Sequence, residues 1–433
     1  MPGIEYAALR LIDDALRPAG LSLADNFADL PQPPAIARVD PVEAEIQRWR
    51  SSTTDEPAPG ELTLAQQAEL LNPSQRIVFE TIMERVTASI ANSTLATNAA
   101  AAADGDGMDT SNGIEIPPIP PTLPPLGHGG IHQRPPPHHS SNINDPTSSV
   151  RRSPSGYNNL FFIDAPGGYG KTFVIKLLLA SVRASGHVAK PVASSGIAAL
   201  LMEGGTTAHS LFSIPCTGLT DDSCCPIKQQ SHKAKLIIAA HLIIWDEAPM
   251  TDKRAYGAVD RALRSLMGTP DLPFGGKVFV MAGDFRQVLP VVPRGNRASI
   301  VGACIKRHQL WNHVTVLRLD TNMRVQLLLE SLGHDAAAAQ EAFARFLLAV
   351  GEGLGSDPRR PLLIPQSMVV PGESPEDLIR DIFGDLSNNP HDREETRLMG
   401  RCILSPKNND VIAINDMVTD MLPSQVSGPT TNN

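Results

Sequence analysis

The sequence predicts an α/β fold built on a mostly parallel sheet. Short apolar runs alternate with helical segments, and each run ends in polar or glycine residues. The clearest runs are Leu160–Ile163, Leu242–Trp245 and Lys277–Ala282. Buried strands that end in polar residues are typical of sheets whose functional site lies at the carboxyl ends of the strands. We therefore expect the chemistry at that edge of the sheet.

Helical spacing of apolar residues fills the stretches between these runs. Thr172–Arg183 follows the first run, and Lys253–Met267 directs its apolar residues to one face. Upstream, Val78, Ile82 and Val86 form one stripe of a helix over Ile77–Ile90. The 3.6-residue period of these patterns is the signal for helices that pack one face on a core.

Composition divides the 433-residue chain into five predicted segments. Residues 1–60 are interpreted as an N-terminal accessory helical segment and residues 61–90 as a second helical segment. Residues 91–159 are rich in Ala, Ser, Asn, Gly and Pro, a composition that cannot bury enough apolar surface to order itself, so we predict a disordered insertion. Residues 160–316 form the predicted α/β domain, and residues 317–433 part of a second domain.

Charge is distributed unevenly along the chain. The whole chain has a formal net charge of −9, whereas Leu160–Val325 carries 19 Lys and Arg and 11 Asp and Glu, a net charge of +8. A basic middle between acidic flanks favours a groove that follows a phosphate backbone, with a chance fluctuation as the alternative.

The cysteines and the N-terminus indicate the compartment. Five cysteines at irregular spacing predict free thiols in a reducing environment, and the spacing of Cys216 and Cys224–Cys225 does not fit a zinc ribbon or finger. The first twenty residues place acidic residues among apolar ones, which indicates neither a signal peptide nor a membrane anchor. We expect an intracellular protein with no membrane partner.

The first apolar run leads into a phosphate-binding pattern. Ala165–Thr172 reads APGGYGKT, which nearly matches G-x-x-x-x-G-K-[ST]. In this pattern Lys171 reaches the β- and γ-phosphates, Thr172 ligates Mg²⁺, and the following helix adds its positive end. Ala165 replaces the first glycine, which is tolerated if its φ is negative. The glycines that let backbone N–H groups surround the phosphates are Gly167, Gly168 and Gly170.

An acidic pair closes the second run. Asp246 would hold the Mg²⁺ shell and Glu247 would polarise the attacking water in a nucleotide hydrolase. The pair alone is equally compatible with an exposed loop, but its combination with the phosphate loop predicts a nucleotide site.

Three further residues are candidates for this site. Gln287, after the third run, can sense the γ-phosphate, with Asp284 to orient it; a plain turn is the alternative. Arg324 is a candidate transition-state cation, although a lone arginine is more often a surface residue. The amide of Gln75 can read the N6/N7 face of adenine.

Together these segments resemble the Pif-type DNA helicases of superfamily one, most closely the branch carried by Helitron transposons. The resemblance covers most of Leu160–Asp416 and, weakly, the helix near Gln75. Its most specific part runs from DEAPM to GDFRQVLPV. The matching stretches are LNPSQR, APGGYGKT, ASSGIAALLMEGGTTAHSLFSIP, LIIWDEAPM, PFGGKVFVMAGDFRQVLPVVPRG and LRLDTNMR.

The resemblance implies a RecA-like P-loop NTPase domain and an incomplete second RecA-like domain. It implies ATP and Mg²⁺ as cofactors, with single-stranded DNA and DNA duplex junctions as partners, and leaves the oligomeric state open. It further implies 5′–3′ movement, a nuclear location and roles in DNA repair, recombination and telomere maintenance.

The resemblance also assigns residues to roles. Adenine recognition falls to Gln75, Mg²⁺ binding and water activation to Asp246 and Glu247, and γ-phosphate sensing to Gln287 and Arg324. Phosphate binding falls to Gly168, Gly170, Lys171 and Thr172. The residues that would lie along single-stranded DNA are Ser195, Thr207, His209 and Ser210.

The leading hypothesis is an ATP-dependent DNA helicase. The later DNA-binding motif and the final arginine motif of the family are not found before Asn433, so we expect the second half of the nucleotide cleft to be missing or supplied by another chain. The alternative hypothesis is a truncated, transposon-derived module that binds ATP and DNA without unwinding. A nucleotide switch outside the helicases is disfavoured by the GDFRQ and TAHS segments.

Overall fold

The computed structural model describes residues 42–43, 45–47, 62–103, 150–332, 334–354, 361–372, 374–384 and 400–421. The chain divides into two compact units, Met1–Leu348 and Ala349–Asn433. Most of the segment predicted as an N-terminal accessory, and residues 104–149 of the predicted insertion, lie outside the described residues.

Seven strands of the first unit form one sheet in the order β1-β7-β2-β6-β5-β3-β4. β1 runs antiparallel to β7, and the other neighbours pair in parallel. The predicted α/β fold with a mostly parallel sheet is thereby confirmed. The strands are β1 (Val150–Arg151), β2 (Leu160–Asp164), β3 (Val188–Ala193), β4 (Thr206–Thr207), β5 (Ala240–Asp246), β6 (Val278–Gly283) and β7 (Thr315–Arg318).

Twelve helices are described in the two units. They are α1 (Leu64–Glu69), α2 (Pro73–Ala103), α3 (Lys171–Ala184), α4 (Gly196–Leu200), α5 (Ala208–Phe212), α6 (His232–Ala239), α7 (Lys253–Met267), α8 (Arg297–Ala303), α9 (Met323–Leu332), α10 (His334–Gly351), α11 (Pro375–Phe383) and α12 (Asn408–Met421). Short 3₁₀ segments include Ala248–Met250, which directly follows the acidic pair.

Helices cover both faces of the central strands, so β2, β5 and β6 are buried on both sides. Leu160 and Phe162 of β2 join a core with residues of α5, α6 and α7 on one face. Phe161 and Ile163 join a second core with residues of α2 and α3 on the opposite face. This two-sided burial explains why these strands are continuous apolar runs in the sequence.

Residues at the helix ends set the limits of α7. The side chain of Asp252 accepts a hydrogen bond from the backbone N–H of Arg254 at 2.9 Å and begins the helix. Gly268 ends it with a φ of 64°, in the left-handed region that favours glycine.

Two predicted segment boundaries are wrong. α2 continues to Ala103 because alanine has the highest helix propensity, so the predicted disordered insertion cannot begin at residue 91. Val150–Arg151 of that segment is β1. β7 pairs with β2 in the first sheet, so the predicted second domain cannot begin at residue 317.

The described part of the N-terminal segment belongs to the α/β core. Residues 42–43 and 45–47 are helical, and Val42 and Ile46 pack on the first core. Glu45 pairs with Lys190 of β3 at 2.9 Å, with both side chains 7% exposed. A buried lysine needs such a partner, so these residues are part of the domain rather than an accessory to it.

The second unit contains only helices among its described residues. Ile379 and Phe383 of α11 form a small core with residues that include Met417 of α12. The incomplete second RecA-like domain therefore stays a prediction. Within the described parts of the chain, none of the helices is long and apolar enough to cross a membrane. All five cysteines are free thiols.

Candidate active site

The phosphate-binding loop joins β2 to α3 at the carboxyl end of the sheet. The backbone N–H of Ala165 donates to the carbonyl of Gly283 at the end of β6, at 3.3 Å. Ala165 is not among the residues with positive φ, whereas Gly168 and Gly170 have φ values of 89° and 80°. The substitution of alanine for the first glycine of the pattern is thus tolerated, as predicted.

Gly170 is required by space as well as by φ. A Cβ at this position would collide with Nε2 of Gln75 and lie 3.3 Å from Cγ of Met323. Three segments distant in the sequence therefore converge on the end of the phosphate loop.

Lys171 connects the loop to the acidic pair. Its Nζ lies 2.8 Å from Oδ1 of Asp246 and 2.9 Å from Oε1 of Glu247. The side chains are 13%, 9% and 25% exposed, respectively. Burial lowers the pKa of Lys171, but attraction and hydrogen bonds from Asp246 and Glu247 outweigh it, so the pKa is raised above its usual value. The structure thus brings together a charged ammonium and two carboxylates predicted from the sequence.

The acidic pair has a constrained backbone. Oδ1 of Asp246, the last residue of β5, accepts a hydrogen bond from the N–H of Glu247 at 2.9 Å. Glu247 has a φ of 51°, a left-handed conformation that costs a residue other than glycine about 1–3 kcal/mol. The surrounding contacts must hold it there, and such strain is characteristic of functional positions.

The donor set fits a magnesium ion. Asp246 supplies a buried carboxylate beside the phosphate loop, and Thr172, the second residue of α3, supplies a partly buried hydroxyl. Oxygen ligands of this kind are those that Mg²⁺ prefers in nucleotide sites.

Gln75 is buried and hydrogen-bonded within the protein. Its Oε1 accepts from the N–H of Asn72 at 3.1 Å, while its own N–H donates to Oδ1 of Asn72 at 2.9 Å. This reciprocal pair is a capping box at the start of α2. Its Nε2 donates to the carbonyl of Tyr169 at 3.3 Å. Recognition of adenine by Gln75 stays a prediction, and in this structure its amide joins α2 to the phosphate loop.

Arg324 also reaches the phosphate loop. The backbone N–H groups of Met323 and Arg324 donate to the carbonyl of Gly168 at 3.0 and 3.3 Å. A Cβ on Gly168 would lie 3.0 Å from Cδ of Arg324, whose side chain is exposed. The structure therefore places Arg324 beside the phosphate loop, and its role as a transition-state cation stays a prediction.

Gln287 lies near the same edge but is not joined to the other candidates. Its side chain is exposed and has no hydrogen-bond partner among the described residues. Asp284 does not orient it as predicted: its carboxylate accepts hydrogen bonds from the N–H and the guanidinium of Arg286 at 3.0 and 3.2 Å. Gln287 is joined to Asp284 through its backbone, whose N–H donates to the carbonyl of Asp284 at 3.2 Å.

A charged cluster that sequence reasoning missed surrounds Asp164. Arg286 and Arg318 lie 3.9 and 3.7 Å from its carboxylate. Burial raises the pKa of Asp164, and the nearby cations Arg286, Lys306 and Arg318 counteract only part of that rise. Asp164 and Arg318 end β2 and β7, Arg286 follows β6, and Lys306 lies in the 3₁₀ segment Ile305–Arg307, so only the tertiary fold brings them together.

The residues predicted to face DNA lie at the ends of β3 and β4. Ala193 and Thr207 are partners in these parallel strands. Ser195 caps α4 and Thr207 caps α5, each through its side-chain oxygen. The structure thus places Ser195 and Thr207 at neighbouring strand ends.

His209 and Ser210 occupy the first turns of α5. The side chain of His209 is partly buried and Ser210 is exposed. Nζ of Lys233 donates to the carbonyl of Ser210 at 2.6 Å, which adds a positive charge beside this surface. Contact with DNA by the four residues stays a prediction.

The residues of this site lie in a part of the chain that matches a known protein family. Residues 147–360 match the model of a family described as PIF1-like helicase. The matched residues include the phosphate loop, the acidic pair and Arg324, whereas Gln75 precedes them.

Curated relatives of this domain are named as helicases. The chain is 33% identical over 133 residues to the ATP-dependent DNA helicase PIF4 of Trypanosoma brucei brucei. This alignment covers 30% of this chain and 16% of that protein. It is 27% identical over 155 residues to the human ATP-dependent DNA helicase PIF1, covering 36% of this chain and 23% of that protein. The chain therefore spans less than a quarter of the length of these two relatives.

A solved structure of Bacteroides Pif1 bound to ssDNA is 28% identical to this chain over the matched residues. The match covers 41% of this chain and 44% of that chain, with a TM-score of 0.34.

Proposed function

We propose that this chain hydrolyses ATP and couples the hydrolysis to movement along single-stranded DNA and to unwinding of duplex DNA. The observation that carries the proposal is the ammonium of Lys171 between the carboxylates of Asp246 and Glu247 at the end of the phosphate loop. The match of residues 147–360 to the PIF1-like helicase model and the relatives named ATP-dependent DNA helicases support it.

The chemistry follows from the charges at the site. The β- and γ-phosphates of ATP would meet the N–H groups of the glycine loop and the ammonium of Lys171, which would exchange a carboxylate for a phosphate oxygen. Glu247 would accept the proton of the attacking water as the γ-phosphoryl group passes to that water and ADP leaves. Mg²⁺, held by Thr172 and Asp246, would neutralise phosphate charge. Arg324 would stabilise the charge of the transition state.

The remaining site residues have roles that depend on binding. Gln75 would contact adenine, and Gln287 would turn toward the γ-phosphate from its exposed position at the end of β6. Ser195, Thr207, His209 and Ser210 would lie along single-stranded DNA. The net charge of +8 over Leu160–Val325 favours this interaction.

The cellular setting is proposed from the resemblance. It implies a member of the Helitron-associated branch that acts in the nucleus on single-stranded DNA and duplex junctions. Repair, recombination and telomere maintenance are the roles that the resemblance implies, with movement in the 5′–3′ direction.

Strand separation by the 433-residue chain tests the proposal. Fluorescent duplexes with a 5′ tail, a 3′ tail or no tail would be mixed with the protein and ATP or a non-hydrolysable analogue. We expect separation of the 5′-tailed duplex with ATP only. Binding of ATP and single-stranded DNA without separation of either tailed duplex would instead support the module without unwinding activity.

A further inference from the structure

The hydroxyl of Ser194 lies between the end of β3 and the acidic pair. The backbone N–H of Ser194 donates to the carbonyl of Asp246 at 3.1 Å. Its Oγ lies 2.7 Å from the carbonyl oxygen of Glu247, 2.8 Å from Oγ1 of Thr251 and 3.0 Å from Nε1 of Trp245. Ser194 therefore contacts both residues of the acidic pair through their backbone.

These contacts account for every hydrogen-bonding position of the hydroxyl. A serine hydroxyl donates one hydrogen bond and accepts two. The carbonyls of Glu247 and, at 3.5 Å, of Asp246 can only accept, and the indole of Trp245 can only donate. Ser194 therefore donates to these carbonyls, most closely to that of Glu247, and accepts from Trp245 and Thr251. Trp245 is 0% exposed and Thr251 is 7% exposed. The hydroxyl is thus fixed by buried partners.

The bond to Glu247 acts on a strained residue. Glu247 holds its left-handed φ of 51° while its side chain contacts Lys171 at 2.9 Å. A carbonyl that is hydrogen-bonded to Ser194 restricts rotation of the peptide that follows Glu247. Loss of this bond would let the backbone relax and would move the carboxylate.

The next residue in the chain is partly exposed. Ser195 caps α4 by accepting a hydrogen bond from the N–H of Ala198 at 3.2 Å. α4 is exposed: the side chains of Ile197 and Leu200 are 80% and 85% exposed. Any molecule that binds this surface and shifts Ser195 acts directly on the adjacent Ser194.

We propose that Ser194 is a positioning residue that couples the surface formed by Ser195 and α4 to the carboxylate of Glu247. The inference rests on the proposed function, in which DNA occupies that surface and Glu247 activates water. The hydroxyl of Ser194 is bonded to Glu247, Trp245 and Thr251, so the role assigned to it acts through Glu247. Coupling of this kind requires a demonstrated energetic link between the two sites.

Turnover of Ser194→Ala tests the coupling. ATP hydrolysis would be measured with and without oligo(dT). We expect the stimulated kcat to fall about tenfold, a loss of about 1.4 kcal/mol in transition-state stabilisation, while KM for ATP changes less than twofold. Ser194→Thr, which keeps the hydroxyl, should retain most of the stimulation.

Ser153→Ala is the matched control. Ser153 also donates from Oγ to a backbone carbonyl, that of Asn312 at 3.1 Å, but next to β1 rather than in the site. It should lower thermal stability like Ser194→Ala and leave the ratio of stimulated to basal turnover unchanged. If the ratio of stimulated to basal turnover were the same in Ser194→Ala as in Ser153→Ala, the proposal would be overturned.

Hydrogen exchange separates failure of the coupling from failure of the proposed function. Protection of the backbone amides at residues 247–251 would be compared with and without oligo(dT), which needs no hydrolysis. We expect a DNA-dependent change in the wild type that Ser194→Ala abolishes. Binding of oligo(dT) without such a change contradicts the coupling alone, and no binding contradicts the proposed function as well.

Discussion

Single residues at the phosphate loop combine structural and chemical roles, and Gln75 shows this most clearly. Its side chain is 1% exposed, and its amide is bonded to Asn72 and Tyr169. A buried polar group that loses its partner costs about 1–3 kcal/mol. Substitution of Gln75 therefore affects folding as well as any contact with adenine.

Two substitutions at Gln75 separate these roles. Gln75→Ala removes the capping box and the bond to Tyr169, and we expect it to lower the free energy of unfolding by about 1–3 kcal/mol. Gln75→Glu keeps the oxygen that accepts from Asn72 but loses the donor to Tyr169 and to adenine. Because it buries a carboxylate oxygen against the carbonyl of Tyr169, it should destabilise the fold at least as much as Gln75→Ala and also weaken ATP binding.

Denaturant unfolding and titration with ATP and GTP would measure these effects. Loss of the preference for ATP over GTP in Gln75→Glu would indicate contact with adenine, whereas equal loss for both nucleotides would indicate a role in holding the loop. If Gln75→Glu bound ATP as tightly as the wild type, both roles would be contradicted.

The sequence predicted some residues of the site and missed others for physical reasons. Lys171, Asp246 and Glu247 belong to patterns that chemistry imposes at strand ends. The structure places Nζ of Lys171 within 2.9 Å of an oxygen of each carboxylate. The spacing of Asn72 and Gln75 is that of a capping box, but only the amide of Gln75 and its contact with adenine were considered from the sequence. Ser194 left no signal, because a serine at a strand end is common and its partners are set by the tertiary fold.

At the scale of elements, a pair of histidines lies where β3 and β5 start, at the edge of the sheet opposite the site: His187 precedes β3 and His241 is the second residue of β5. The rings of His187 and His241 have centroids 5.0 Å apart in an edge-to-face arrangement. Burial lowers the pKa of both. His187 and Lys277 add repulsion that brings the pKa of His241 to about 4. Between about pH 4 and pH 6.5, the folded protein thus keeps His241 neutral, whereas the same histidine would be protonated in the unfolded chain.

Stability should therefore fall on acidification. Because the pKa of His241 is depressed on folding, the unfolded state binds a proton first as pH falls from about 6.5 to about 4. One such group contributes at most about 1.4 kcal/mol per pH unit. His241→Asn should lose less stability between pH 7 and pH 5 than the wild type does.

Denaturant midpoints at several pH values would measure this difference. His232→Asn, at an exposed position of α6, serves as the control and should follow the wild type. Identical pH dependence of His241→Asn and the wild type would show that the histidine pair does not carry the effect.

Elements were predicted well where hydrophobic pattern determines them. The central strands and α7 are apolar or amphipathic enough to be recognised, since burial on two faces or one leaves a periodic signature. β1 and β4 have two residues each and exist only through pairing, so no pattern could indicate them. The extension of α2 was missed because an alanine-rich stretch was interpreted by its low complexity rather than by its helix propensity.

At the scale of the molecule, distant segments assemble the site. The side chain of Asn72 contacts Met323, 251 residues away, at 3.2 Å, and Gln75 contacts Tyr169 across the stretch that includes residues 104–149. Loop-closure entropy grows slowly with length, so a long connection is tolerated. Spacing in the sequence carries no information on such contacts, which is why the convergence on Gly170 was not foreseen.

The central claim is that Lys171, Asp246 and Glu247 form an ATP-hydrolysing site, and DNA-stimulated ATP hydrolysis by two variants tests it most directly. Lys171→Ala removes the cation that meets the phosphates, so both ATP binding and turnover should fall. Glu247→Gln keeps the size of the side chain but removes the base. It should retain ATP binding and lose on the order of a hundredfold or more in kcat. Turnover equal to that of the wild type in both variants would contradict the account.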